Sequence, residues 1–143
     1  MNRQVETPLP ALALGELASK SHKLGTILDS QSRAAATYTT DPIHNYEAKG
    51  LRLFFDLTNV GAGPGTVTAK VQVQDPVSGN WVDLAGAVTA ALNAVGTTML
   101  TIYPGLTAAA NVAVSSPLGL VWRLSVTVAT NAVSFSVGGQ YLN

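Results

Sequence analysis

The sequence predicts an all-β protein, an antiparallel β-sandwich with an extended N-terminal arm. Three observations carry that reading. Apolar and polar residues alternate with a period of two in several separate runs, as half-buried strands require. Clusters of Gly, Pro and Asn punctuate the runs. Nothing between the runs is long and periodic enough to be a crossover helix, so parallel βαβ units are not expected. Immunoglobulin-like and jelly-roll connectivities share this pattern, and it does not separate them.

The first 25 residues read as an arm, extended or with one short helix. Pro10 stands near the start of the candidate helix and Gly25 just past its end, while Gly15 and Ser21 weaken it. The stretch from Leu9 to Leu17 is apolar but short, and Pro10 and Glu16 interrupt it. A segment so poor in large apolar groups does not fold alone and is expected to be ordered by packing on a neighbour. The sandwich is assigned to residues 26–143.

Within the sandwich, Thr26–Leu28 and Ala36–Thr39 are strand-like. Leu51, Leu53, Phe55 and Leu57 share one face of a strand, with Arg52, Asp56 and Thr58 on the other. Val67, Ala69, Val71 and Val73 repeat the pattern against Thr66, Thr68, Lys70, Gln72 and Gln74. Between these two runs, Gly61-Ala62-Gly63-Pro64-Gly65 is read as a hairpin loop. Asp75 to Asn80 is a second turn, followed by a short strand from Trp81 to Leu84. Residues 85–95 are Ala-rich and read as a loop or short strand. Thr97 to Tyr103 forms a strand ended by Pro104-Gly105, and a long weakly polar connection runs from Leu106 to Gly119. Leu120, Trp122, Leu124, Val126 and Val128 then define an inward face, and Val133, Phe135 and Val137 another.

Composition narrows the function. Charged residues make up 11% of the 143 residues and hydrophobic ones 47%, where soluble domains usually carry roughly 25% charged residues. Ten of the sixteen charges fall in residues 1–49, and after Asp83 only Arg123 is charged. A surface this poor in charge is weakly protected against association. The formal net charge is zero, so no electrostatic footprint for nucleic acid or an anionic membrane is present. No run approaches the ~20 apolar residues of a membrane span, and no secretion signal is evident at the N-terminus. The chain has no cysteine, which removes disulfides, thiolate metal sites and cysteine nucleophiles.

A search for chemistry finds no constellation. His22 and His44 lack the spacing of a zinc site, and Asp41, three residues before His44, sits in a Pro-containing segment. No Gly-x-Ser-x-Gly elbow is present. The carboxylates are scattered; Asp56 and Asp83 are the pair that could meet across strands, as a glycosidase would need. The glycines of residues 61–65 lack the following Lys-Ser or Lys-Thr of a phosphate loop. Trp122 is assigned to the core. Trp81 follows a turn, and with Tyr103 it could form a platform for stacking sugars. No catalytic, cofactor-binding or metal-ligating residue is assigned, and the chain is not expected to be an enzyme.

The run Gln74-Asp75-Pro76-Val77-Ser78-Gly79-Asn80-Trp81 resembles a strand-turn-strand of small tailed-bacteriophage structural proteins. The segment Gly96-Thr97-Thr98-Met99-Leu100-Thr101-Ile102-Tyr103-Pro104-Gly105-Leu106-Thr107 is similar to another part of that group. So are Leu120 to Val126, with its Trp-Arg pair, and Ser134 to Gly138. The resemblance covers about residues 26–143. It implies a β-rich virion component made in the host cytoplasm. The expected role is a capsid decoration (cement) protein on the capsid surface, partnered by the major capsid protein and self-associating as a trimer or dimer. A tail or head–tail component, or a carbohydrate- or receptor-binding module, are the alternatives.

Overall fold

A computed structural model describes residues 23–143; the proposed arm, with His22, lies almost wholly outside the described residues. Within them the chain forms ten strands and no helix. They are β1 (Gly25–Arg33), β2 (Ala36–Thr39), β3 (Ile43–His44), β4 (Gly50–Asn59) and β5 (Thr66–Gln74). Then come β6 (Trp81–Val88), β7 (Gly96–Ile102), β8 (Ala113–Val114), β9 (Val121–Ala129) and β10 (Val133–Leu142).

The strands divide into two sheets. The first has the order β1-β10-β4-β7-β8 and the second β2-β9-β5-β6, with β3 also on β9. Apart from the two-residue β8, which runs parallel to β7, every pairing is antiparallel. The pairs β1·β10, β2·β9, β4·β7 and β5·β6 are nested, first strand with last and second with next to last. A long two-ended ribbon rolled upon itself gives this arrangement. Rolling adds the β10·β4 and β9·β5 contacts and closes a sandwich with four longer strands in each layer, to which the two-residue β8 and β3 are added; this is the jelly roll.

This topology corrects one sequence expectation. The glycine-rich residues 61–65 do not close a hairpin, because β4 and β5 lie in different sheets. The loop carries the chain from one layer to the other. It is tied to the β9–β10 crossover by the Asn131 amide, which donates to the Gly63 carbonyl. A Cβ at Gly65 would collide with the Asn131 carbonyl, so that crossing requires glycine. The true hairpin is β5–β6, where Gln74 pairs with Trp81.

The core lies between the layers and follows the alternation. Leu51, Leu53, Phe55 and Leu57 of β4 face Trp122, Leu124, Val126 and Val128 of β9, and all eight are at most 2% exposed. Val67, Ala69, Val71, Val133, Phe135 and Val137 belong to the same cluster, with Leu100 and Ile102 of β7. Burying side chains of this size is worth roughly 1.5–3 kcal/mol each. Leu120 departs from the expected face: it precedes β9 and is 62% exposed, because its carbonyl is taken by the Asn45 N–H before the ladder with β5 begins at Trp122.

The sheet edges are interrupted. β1 carries register shifts between Thr26 and Leu28 and between Leu28 and Gln31. The Arg33 guanidinium caps the irregular stretch. It donates to the Asp29, Gln31 and Phe135 carbonyls and lies 4.7 Å from the Phe135 ring centroid. β6 extends to Val88, four residues beyond the expected Leu84. It bulges there: Gln72 pairs with Asp83 but Lys70 with Val88, with Gly86 at φ 81°. The expected connection from Leu106 to Gly119 contains the two residues of β8. Bulged and short edges discourage strand-to-strand aggregation, which leaves loops and faces as the surfaces for association.

Candidate functional site

One end of the sandwich gathers the β3–β4, β5–β6 and β8–β9 connections, together with the start of β1 and the end of β10. Four of the seven large hydrophobic residues exposed among the described residues are here: Tyr46, Val77, Val82 and Leu120. Val95, Met99 and Val112 lie elsewhere. Surface hydrophobics scattered singly need no explanation; several carried by the connections of one end make that end the candidate contact surface.

The loops that carry Tyr46 and Leu120 are tied together by hydrogen bonds. Asn45 is 5% exposed. Its amide nitrogen donates to the carbonyls of Ala48 (2.8 Å) and Gly119 (3.3 Å), and its side-chain oxygen accepts the Ala48 N–H. Its backbone N–H donates to the Leu120 carbonyl at 2.8 Å. One buried asparagine thus locks the loop bearing Tyr46 to the segment bearing Leu120. Tyr46 is 81% exposed and stacks on His44 with centroids 5.8 Å apart. On the neighbouring hairpin, the Asp75 carboxylate accepts from the Val77 N–H (2.9 Å) and the Ser78 hydroxyl (2.8 Å). Those donors hold the Asp75 pKa below the ordinary carboxylate value. The turn they close presents Val77 to solvent at 94% exposure.

Beside this end, the outer face of the second sheet carries a polar ladder. Arg123 flanks the buried Trp122 and so points outward, its guanidinium 4.4 Å from the Trp81 ring centroid. Arg123 Nε donates to Gln72 at 2.8 Å, Gln72 donates to Asp83 at 2.8 Å, and Lys70 reaches the other Asp83 oxygen at 3.0 Å. The hydrogen bonds from Gln72 and then Lys70 lower the Asp83 pKa. These groups satisfy one another on an exposed surface and form no cleft.

The residues singled out for chemistry are kept apart. Trp81 lies on the outer face of the second sheet. Tyr103 covers Gly50 on the first sheet and donates its hydroxyl to the Asn143 carbonyl at 3.1 Å. The two rings therefore form no common sugar platform. Asp56 accepts from Thr97 on the first sheet while Asp83 belongs to the second, so they do not pair as glycosidase carboxylates. His44 is exposed against Tyr46, and among the described residues no group of three metal-ligating side chains lies together. Asn45, Tyr46 and Leu120 carry no sequence motif. Asn45 and Tyr46 lie in the Pro42-to-Lys49 segment, which interrupts the strand pattern while keeping an aromatic residue; nothing comparable marks Leu120.

No family model matches the chain, and no curated protein is similar to it. Among solved structures, it is similar to a chain of the infectious bursal disease virus Gt strain, with TM-score 0.44 and 13% identity over 82% of this chain. A chain of the Gx strain matches with TM-score 0.43 and 14% identity over 80%. This chain spans about a third of the length of each, 32% and 29%.

Proposed function

We propose that the chain is a structural component of a virion, a capsid decoration protein that seats on the outer capsid surface against the major capsid protein. The observation that carries the reading is the apolar end of the sandwich, with Tyr46, Val77 and Leu120 held outward on hydrogen-bonded loops. Residues presented rigidly lose little conformational entropy on binding, and aromatic anchors ringed by polar groups are the usual carriers of interface energy. Two features support it. The jelly roll is used by viral shells, lectins and cupins, so the fold admits this role without deciding it. The scarcity of charge after Asp83 leaves the Leu120 side of this end cheap to bury. On a shell that repeats one contact many times, modest affinity at each site suffices if copies are linked.

The test is co-sedimentation with purified capsid shells lacking the protein. Saturable binding is expected, together with greater resistance of the shells to heat. The double variant Tyr46→Asp, Leu120→Asp is expected to keep the wild-type melting temperature and lose at least tenfold in shell affinity, about 1.4 kcal/mol. Equal binding by this variant would move the contact to another face, and no binding by the wild-type chain would refute the decoration role.

A further inference from the structure

On one side the two sheets do not meet. The outermost strand of the first sheet is β1 and that of the second is β2, continued by β3. Between them runs a groove of about 500 Å³. Its apolar lining comes from Leu24, Ile27 and Leu28 on one wall and Pro42 and Ile43 on the other. Leu24, Ile27, Leu28 and Ile43 also pack against the core, so the floor of the groove is continuous with the hydrophobic interior. Leu24 and Ile27 reach over Gly139 of β10, where a Cβ would displace them. Thr40 and Asp41 form a polar rim.

The groove lies where residues 1–22 join the sandwich, since Leu24 is both part of its wall and the second described residue. That segment contains Leu9, Leu12, Leu14 and Leu17, the apolar side chains of suitable size nearest to it in the sequence. Fully extended, twenty-two residues reach roughly 70 Å, about twice the roughly 33 Å length of a ten-residue strand. The segment is therefore long enough to leave its own sandwich and reach another.

We infer that the groove between β1 and β2–β3 is the seat for the leucine-bearing N-terminal segment of a second copy of this chain. Each copy then gives one segment and receives one. The exchange closes where a symmetry axis returns the last segment to the first groove, reciprocally in a twofold pair or around a ring. The lining from Ile27, Leu28 and Ile43 offers apolar area whose burial supplies the affinity. The exchange needs no shell, so copies in solution show it whether or not the chain decorates a capsid.

The chain has no cysteine, which makes the test direct. Full-length Leu12→Cys and full-length Asp41→Cys, the second on the exposed rim of the groove, are mixed and treated with a bismaleimide about as long as the groove is wide. The expected product is a mixed dimer joining Cys at 12 of one copy to Cys at 41 of another, in preference to either like-with-like dimer. Adding Leu9→Ser and Leu14→Ser to the first partner is expected to raise the concentration for half-maximal cross-linking at least tenfold. The double variant Leu12→Cys, Asp41→Cys distinguishes the routes: cross-linked species above monomer mass agree with exchange, and a looped monomer as the sole product overturns it. Absence of any 12-to-41 product, or indifference to the leucine substitutions, overturns it as well.

Discussion

The Trp122 indole N–H donates across the sandwich to the Tyr141 hydroxyl at 3.3 Å, and that hydroxyl donates onward to the His44 carbonyl at 3.1 Å. Trp122 belongs to β9 of the second sheet and Tyr141 to β10 of the first. Their rings meet edge to face, 6.5 Å between centroids at 80°. The largest fully buried side chain thus finds its polar partner on the opposite layer, and the chain of bonds ends on the strand that precedes the Tyr46 loop. Core packing and the exposed apolar end are mechanically linked through these two residues.

Trp122→Ala is expected to destabilise the fold by about 3–5 kcal/mol, the usual cost of truncating a buried large aromatic residue. Tyr141→Phe keeps the ring and removes both hydrogen bonds, at a cost of about 1–3 kcal/mol because a buried indole N–H is left without its acceptor. Urea unfolding of the two variants measures both values. An unchanged midpoint for Trp122→Ala would contradict its place in the core.

Tyr141 also makes stability depend on pH on the alkaline side. Burial pushes its phenol above the ordinary value of 10.0, so the folded state favours the neutral form. The stabilisation is complete below that value and is lost as pH rises through the raised one. A melting temperature that falls above pH 10, and falls less steeply in Tyr141→Phe, is the expected result. On the acid side, Asp75 and Asp83 have lowered values. Their contributions are present above the ordinary 3.8 and disappear as pH drops below it.

Gly50 and Gly138 are expected to respond oppositely to alanine. A Cβ at Gly50 would strike the Ile102 carbonyl and the Tyr103 ring, and the first of these is backbone that cannot step aside. Gly50→Ala should cost about 1–3 kcal/mol. Gly138 meets only the Gly25 carbonyl, at 3.9 Å, so Gly138→Ala should stay within ~0.5 kcal/mol of wild type. Thermal denaturation of the pair tests the packing of β4 against the end of β7 and of β10 against β1.

A chelator is expected to leave the melting temperature unchanged, since among the described residues no group of three metal-ligating side chains lies together. A large loss of stability would reveal a bound metal.

What the sequence revealed depended on how each strand is buried. β4, β5, β9 and β10 are covered on one face, and their alternation located Leu51, Val71, Trp122 and Phe135 in the core without any structure. β6 was truncated in the reading because its bulge breaks the period and fills it with Leu84-Ala85-Gly86-Ala87. The hairpin assigned to residues 61–65 failed for another reason. A Gly-Pro turn that crosses between layers has the same composition as one that returns within a layer, and only the pairing of β4 with β10 and β7 distinguishes them. The jelly roll itself rests on contacts such as β1 with β10, a hundred or more residues apart, which no local pattern encodes. The exposed end was hidden because its framework, Asn45 bonded to Ala48 and Gly119, joins residues distant in the chain by a single side chain.

The most direct test of the decoration role is the copy number and position of this chain in purified virions, by quantitative mass spectrometry with cryo-electron microscopy. Hundreds of copies on the outer shell, with the Tyr46–Leu120 end toward the major capsid protein, are predicted. A few copies, or copies confined to a tail or connector, would contradict that role.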